Sequence, residues 1–308
     1  MTTPRASVVT VSWNTRELTR RCVESVRTCS DGRDAEIIVV DNESADGTAD
    51  MIRAGSPDVI LIANDENRYY AEANNQGAAA ATGDFLCLLN SDAELRDGAL
   101  STMIGFLEDN PDYAVVGPQL LNPDGTVQQS WNRFYGLRDT LYGRTMLGRF
   151  PPGSAYLRRS RLADFDGRTS RDVEQLMGAC LVVRRRDFLD IGGFDPAFSL
   201  YFNDHDLCRR FLAQGRRTRF LAEAHVPHLR GESTRKFDAL NVIWNRNTLA
   251  YHRKYSGRLG LFAARLLLRA KAALVYFKIV AGPRSLGEKR RALRAARANL
   301  RQVLSTEG

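Results

Sequence analysis

The sequence contains no Cys-x-x-Cys pair and no Cys/His set at zinc spacing. Its five cysteines, Cys22, Cys29, Cys87, Cys180 and Cys208, are odd in number and scattered. They read as reduced core thiols rather than as a disulfide framework or a zinc module. The first residues, MTTPRASVV, carry no apolar h-region, so no signal peptide and a cytoplasmic location are expected. No uncharged run is long enough to span a bilayer, because the longest apolar stretch, residues 259–280, is broken by Arg265, Arg269, Lys271 and Lys278. A Gly-x-Gly-x-x-Gly fingerprint after the first strand, a P-loop and a Gly-x-Ser-x-Gly elbow are all missing. Those absences argue against a dinucleotide dehydrogenase, a P-loop NTPase and an α/β-hydrolase. No internal repeat or low-complexity segment is found.

What is present is ordinary globular material. Of 308 residues, 44% are hydrophobic and 26% charged, which excludes a disordered or collagen-like chain. The length suits one large domain or two small ones. The net charge of +8 is unevenly spread, since residues 251–308 carry net +12 and residues 1–250 net −4. A basic tail on a slightly acidic body points to an anionic partner for the tail.

Apolar runs alternate with helical patterns. Residues 7–13 (SVVTVSW), 36–40 (EIIVV), 59–63 and 85–89 (FLCLL) read as buried strands, and helices are expected from residue 16, around 48–54 and over 72–81. Asn14 and Glu17 have the spacing of a capping box for the first helix. Strands alternating with helices imply βαβ units and a mostly parallel sheet. Residues 133–172 are rich in Arg, Gly and Pro and are expected to form long loops. Strands are expected at 177–184 and 219–222, a helix at 204–214, and basic helices after Ser233.

Ligands of open α/β sheets bind at the carboxyl ends of the strands. Here those ends carry Trp13, Asp41 and Asp92. Asp92 can hold a hard divalent cation on a diphosphate or simply cap a turn. Asp41 with Asn42 can accept a pyrimidine N3–H while Trp13 stacks on the base, yet the surrounding DNESADGT is also turn-forming, with Ser44 or Asp46 able to cap the next helix. In Asn203-Asp204-His205-Asp206, Asp204 is the better general base, and Asp206 is better explained by pairing with Arg210 at i+4. His228 can be structural or a metal ligand.

Taken in order, Val11-Ser12-Trp13-Asn14, Val39-Val40-Asp41-Asn42-Glu43-Ser44-Ala45-Asp46-Gly47-Thr48, Asn74-Asn75-Gln76-Gly77, Leu88-Leu89-Asn90-Ser91-Asp92-Ala93-Glu94-Leu95, Gly178-Ala179-Cys180-Leu181 and Asn203-Asp204-His205-Asp206 resemble the family 2 inverting glycosyltransferases of GT-A fold, especially rhamnosyltransferase-like bacterial members. The likeness covers roughly residues 6–255. It implies a catalytic domain over 1–255, with a donor half to about 125 and an acceptor half from about 126, followed by a basic helical extension at 256–308. It implies Asp204 as catalytic base, and Asp92 with His228 as ligands of Mg²⁺ or Mn²⁺. Trp13, Asp41, Asn42, Asn74, Ser91, Arg235 and Arg246 would bind the donor nucleotide, and Met177, Gly178 and Asn203 would line the sugar and acceptor pocket. The chain departs from the family pattern at Tyr69, where Gly is usual, at Ser91, where Pro is usual, at Asn203, where an acidic residue is usual, and at Glu174-Gln175, where an Asp-aromatic pair is common.

The implied reaction is metal-dependent, inverting transfer of a sugar, rhamnose as first choice, from a dTDP- or UDP-sugar to a saccharide or lipid-linked acceptor in cell-surface polysaccharide synthesis. A sugar-nucleotide pyrophosphorylase is disfavoured because its Gly-x-Gly-Thr-Arg-type loop is missing. The alternative is a catalytically silent scaffold of a glycan assembly complex at the membrane. In the tail, Arg290, Arg294, Arg297 and Arg301 recur on one helical face and Leu293, Ala296, Leu300 and Val303 on another. Such a basic amphipathic helix suits an anionic membrane surface, which would make the protein peripheral on the inner face of the plasma membrane, or it caps the body. No nucleic-acid-binding module is present.

Overall fold

The computed structural model describes residues 5–29, 35–143, 145–231 and 240–281, together with 287–288, 293–294 and 296–297. The elements run β1 (Ala6–Ser12), α1 (Arg16–Thr28), β2 (Glu36–Asn42), α2 (Thr48–Gly55), β3 (Val59–Asn64), α3 (Tyr69–Ala80), β4 (Phe85–Leu89), α4 (Ala99–Asp109) and β5 (Tyr113–Leu121). Then follow β6 (Val127–Gln128), β7 (Trp131–Asn132), α5 (Leu137–Tyr142), a 3₁₀ turn (Met146–Arg149), α6 (Gly153–Ser160), β8 (Arg171–Asp172), β9 (Gln175–Leu176), β10 (Cys180–Arg184), α7 (Arg185–Asp190), α8 (Asn203–Ala213), β11 (Arg217–Pro227), α9 (Leu240–Tyr255) and α10 (Gly257–Ala281). By compactness the chain divides into Met1–Phe134 with Leu162–Lys236, and Tyr135–Arg161 with Phe237–Gly308.

The first unit is built on a mixed sheet of order β3-β2-β1-β4-β10-β5-β11-β8, with β6 on β5. β1, β2, β3 and β4 pair in parallel, as do β5 and β11, and β10 runs antiparallel between β4 and β5. The sheet is mostly parallel, as its unbroken apolar runs imply. Successive residues fall on opposite faces, so Val8, Ile37, Val39 and Cys87 pack in one core and Val9, Ile38, Val40, Leu86 and Leu88 in the other. Gly77 is what lets α3 lie against β1 and β2, because a Cβ there would stand 2.3 Å from Val9 Cγ1. All five cysteines are buried thiols outside any disulfide, as expected. Burial pushes the thiols of Cys22 and Cys208 up to about 12, so both serve as neutral apolar filling.

Several local expectations are corrected. Asn14 does not cap α1. It adopts a positive φ of 55° and its side chain accepts the Ala45 N–H at 2.7 Å. The first turn of α1 is instead capped across the loop by Asp46, whose carboxylate takes the N–H of Arg16 at 2.9 Å and the N–H of Thr48 at 3.2 Å. One side chain thus serves the N-termini of two helices, and Glu17 is left to pair with Arg20. β10 begins at Cys180 rather than 177, and β11 is far longer than 219–222.

The second unit contains three short helical segments where long loops were expected over 133–172. They hold because polar side chains close them internally. Asp139 is buried and accepts the Gly136 N–H at 2.9 Å, the Tyr156 hydroxyl at 2.7 Å and the Ser160 hydroxyl at 2.5 Å. Buried His252 bonds Thr140 Oγ1 through Nε2 at 2.8 Å and Ser256 Oγ through Nδ1 at 2.9 Å. Leu249 of α9 packs with Ala264 and Leu268 of α10. That packing makes α9 part of the second unit, so the division by compactness does not follow the expected boundary at residue 255. Among the described residues no helix is long and apolar enough to cross a membrane.

Candidate active site

The polar residues singled out from the sequence gather along one edge of the sheet in the first unit. Parallel strands deliver their carboxyl ends to the same edge, and the antiparallel β10 delivers its amino end there. Trp13 follows β1, Asp41 and Asn42 close β2, Asp92 follows β4, Gly178 precedes β10 and His228 follows β11. The Asn90 N–H bonds the Ala179 carbonyl at 2.9 Å, which joins the β4 exit to the β10 entry.

Asp41 is buried, and its Oδ2 accepts the Ser44 N–H at 3.1 Å. Its Oδ1 is buried without a hydrogen-bond partner. A buried carboxylate oxygen left unpaired is costly, so it marks a place where a donor group belongs. Trp13, half-buried, stands one residue beyond Ser12, the residue in register with Asp41.

Asn42 serves the fold. Its Oδ1 accepts Asn64 Nδ2 at 2.9 Å and its Nδ2 donates to the Tyr69 carbonyl at 3.0 Å. Tyr69 lies in the left-handed region at φ +58°, a conformation that costs a side-chain-bearing residue of order 1–2 kcal/mol. That geometry explains why glycine suits this position. Asn74 Nδ2 bonds the Tyr70 carbonyl one turn back at 2.8 Å. Asn75 grips Phe194 from both sides, accepting its N–H at 2.9 Å and donating to its carbonyl at 2.8 Å. The Ser91 hydroxyl meets Thr15 Oγ1 at 3.1 Å in a buried cluster with Ser12 and Thr19. For Asn42, Asn74 and Ser91 the structure therefore supplies internal partners where donor contacts were expected.

Asp92 and His228, distant in sequence, are brought together. Ala93 bridges His228, the Leu229 N–H bonds the Asp92 carbonyl at 2.9 Å, and the Glu94 N–H bonds the Pro227 carbonyl at 3.0 Å. This stitching sets His228 Nε2 at 3.3 Å from Asp92 Oδ1, with both side chains buried. Gln128, which the sequence reading passed over, decides what that contact is. Its Nε2 donates to Asn122 Oδ1 at 2.8 Å and to the His228 carbonyl at 3.2 Å, so its Oε1 faces His228 Nδ1 at 2.6 Å. Nδ1 then donates to that oxygen, and Nε2 is the ring nitrogen turned toward the Asp92 carboxylate. Imidazole nitrogen and carboxylate oxygen are both ligand types that a divalent cation accepts. Among the described residues there is no group of three or more His, Cys, Asp or Glu suited to a metal.

Asp204 stands in the first turn of α8. Its Oδ2 accepts Gln175 Nε2 at 3.0 Å and the Gly178 N–H at 3.1 Å, and its Oδ1 accepts the His205 N–H at 2.8 Å. Oδ1 keeps further lone-pair capacity, while the bonds to both oxygens fix the direction of the carboxylate. Gly178 is held in turn by the Tyr70 hydroxyl, which donates to its carbonyl at 2.6 Å. Burial, reinforced by Asp204, pushes the Tyr70 phenol far up, so it remains a neutral donor. Asn203 is buried with its Nδ2 unpaired. The Met177 N–H bonds the Ser130 carbonyl at 2.7 Å. Asp206 pairs with Arg210 at 2.7 Å, as its i+4 spacing suggested, and Arg210 also holds the Ile191 and Gly193 carbonyls. Arg246 lies on α9 in the second unit, and Arg235 lies outside the described residues.

Gln128 and Gln175 were not read as functional. The only signal for Gln175 was its departure from the family pattern, and for Gln128 there was none.

The chain is similar to known proteins. The N-acetylglucosaminyl-diphospho-decaprenol L-rhamnosyltransferase of Mycobacterium tuberculosis is 28% identical over 214 residues, 66% of this chain and 69% of that protein. The GalNAc(5)-diNAcBac-PP-undecaprenol beta-1,3-glucosyltransferase of Campylobacter jejuni is 31% identical over 134 residues, 42% of each chain. Among solved structures, GalNAc-T7 with UDP, GalNAc and Mn²⁺ superposes with a TM-score of 0.60 at 16% identity over 95% of this chain, which spans 55% of that one. The mannosyltransferase PcManGT of Pyrobaculum calidifontis, with GDP-Man and Mn²⁺, gives 0.56 at 18% identity, covering 99% and 87%. These likenesses establish the GT-A fold. The model of glycosyl transferase family 2 matches residues 7–170, more than half of the chain, and the protein therefore belongs to that family and is an enzyme of the glycosyltransferase class.

Proposed function

We propose that this enzyme moves a sugar, with inversion, from a nucleoside-diphosphate donor to a saccharide carried on a lipid. The observation that carries the reading is the unpaired, buried Oδ1 of Asp41 at the strand-end edge, an acceptor that a pyrimidine N3–H would satisfy. Trp13 beside it offers a face for the base. Asp92 and His228 would hold a Mg²⁺ or Mn²⁺ ion, and Gln128 keeps His228 in the tautomer that can do so. A cation held by these two residues would supply neutralisation of the charge that grows on the leaving diphosphate.

Asp204 is the base. The bond from the anomeric carbon to the diphosphate oxygen breaks with its electron pair while the acceptor oxygen attacks from the opposite face. The acceptor's proton passes to a carboxylate oxygen of Asp204, which Gln175, Gly178 and His205 keep oriented. Asn203, with its unpaired Nδ2, offers a donor to a sugar hydroxyl, and Met177 and Gly178 would border the sugar and acceptor pocket. Arg235 and Arg246 remain candidates for the diphosphate. The relatives' lipid-linked saccharide acceptors support a carrier-bound acceptor in surface-polysaccharide synthesis. The rhamnosyltransferase among them makes dTDP-rhamnose the first donor to try.

The test is nucleoside diphosphate release from a panel of dTDP-, UDP- and GDP-sugars with Mn²⁺, Mg²⁺ or EDTA. Turnover of one donor is expected, lost with EDTA and lowered about 10²–10⁴-fold in Asp204→Asn, with donor binding retained. A chain that neither binds nor turns over any donor would be a scaffold instead.

A further inference from the structure

The long helix α10 has an unusual surface. Leu259, Phe262, Leu266, Leu274 and Phe277 are 86%, 66%, 58%, 63% and 69% exposed. At helical spacing, Leu259, Phe262, Leu266, Ala270, Ala273 and Phe277 recur every three or four residues and form one continuous strip. Arg258, Arg265 and Arg269 follow one border of the strip and Lys271 lies on the other. The opposite face is fixed, since Ala264 and Leu268 are buried with Leu249 of α9. Residues 240–281 contain eight Lys and Arg and no Asp or Glu. The same unit exposes Met146, Leu147 and Phe150 by 52%, 58% and 62%.

A strip of large apolar side chains edged with positive charge has one fitting occupant. A second copy would bring basic borders together with no carboxylate on either helix to meet them. A bilayer with anionic headgroups satisfies both parts at once, because the strip enters the acyl boundary and the arginines and lysine reach the headgroups. We infer that α10 is a docking helix that lies flat on an anionic membrane surface through Leu259, Phe262, Leu266 and Phe277. It lies on the surface and does not span it, for Arg265, Arg269 and Lys271 interrupt any apolar run of spanning length. The inference goes beyond the transferase reading and does not depend on it, because it needs neither donor nor acceptor.

The test is vesicle flotation of the full chain. Vesicles of phosphatidylcholine alone are compared with vesicles in which about a third of the lipid is phosphatidylglycerol, a level at which basic interfacial helices bind. Binding to the anionic vesicles only is expected, weakening as salt rises. The double variant Phe262→Ser, Phe277→Ser should bind roughly tenfold more weakly for each Phe removed. Arg265→Gln with Arg269→Gln should lose about fivefold per charge, ~1 kcal/mol each. Leu212→Ser, at an exposed apolar position on α8 of the first unit, should bind as the wild type does. These side chains face solvent, so unchanged circular dichroism melting will show that the variants are folded. Wild-type protein that stays off anionic vesicles, or a Phe double variant that binds undiminished, would overturn the inference. So would a wild-type dimer in sedimentation velocity that the same double variant abolishes, since the strip would then be covered by a second copy.

Discussion

The two compact units divide polar and apolar surface in opposite ways. In the first, apolar strands are covered on both faces and the conspicuous unpaired groups are polar, Asp41 Oδ1 and Asn203 Nδ2. In the second, the buried centre is unusually polar, with Asp139, Thr140, Asn247 and His252 inside, while apolar side chains stand in solvent. Of thirteen large hydrophobic side chains exposed among the described residues, ten belong to the second unit. Buried polar groups earn their place only when fully bonded. Exposed apolar area of this extent needs a partner. The contrast fits the two tasks proposed above, chemistry at a strand-end edge and attachment through a helix.

Three further experiments would break or sharpen that contrast. The largest effect is expected from Asp139→Ala, which leaves the Gly136 N–H and the Tyr156 and Ser160 hydroxyls without their acceptor. A loss of ~3 kcal/mol or more is expected. Hydrogen exchange should show it confined to 135–161 and 240–281, and equal loss of protection in the sheet would mean that the units do not behave separately. Next comes Gln128→Leu, which frees His228 Nδ1 and the tautomer it enforces. Mn²⁺ affinity, read by paramagnetic resonance in the presence of nucleoside diphosphate, should fall about 10–100-fold while vesicle binding stays unchanged. Undiminished affinity would remove Gln128 from the site. The smallest effect is expected from Gly77→Ala, whose Cβ must displace Val9. Thermal melting should report a cost of roughly 1–3 kcal/mol, and no change would show that α3 can lift without penalty.

Much of the first unit was legible because its signals are local. Apolar runs such as EIIVV and FLCLL declare buried parallel strands, and the residues closing them, Asp41 and Asp92, declare the edge. The pairing of Asp206 with Arg210 was legible because the partner lies one turn away. Where partners lie far apart in sequence the reading failed. Gln128 meets His228 across a hundred residues, and nothing in its neighbours announces that. Asn14 looked like a cap, but the loop after β2 folds over and Asp46 takes the role. The internal bonds of Ser91 to Thr15 and of Asn42 to Asn64 and Tyr69 were equally invisible in the sequence, and the donor contacts expected of both remain a proposal. The helices at 137–142 and 153–160 are too short for a periodic signal and are held by Asp139, whose bonds close only in three dimensions.

The stitching of the β4 exit to the end of β11 carries a consequence for how the protein comes into being. Asp92 is synthesised early and His228 late, and they meet only when β11 joins β5 in parallel register. Parallel pairing over such a sequence distance is among the slower steps of folding. A nascent chain that has made β1 to β4 carries Asp41 and Asp92 but not yet His228. On the proposed assignment of Asp92 and His228 as cation ligands, such a chain would lack half of the pair, and transfer would wait until β11 is seated.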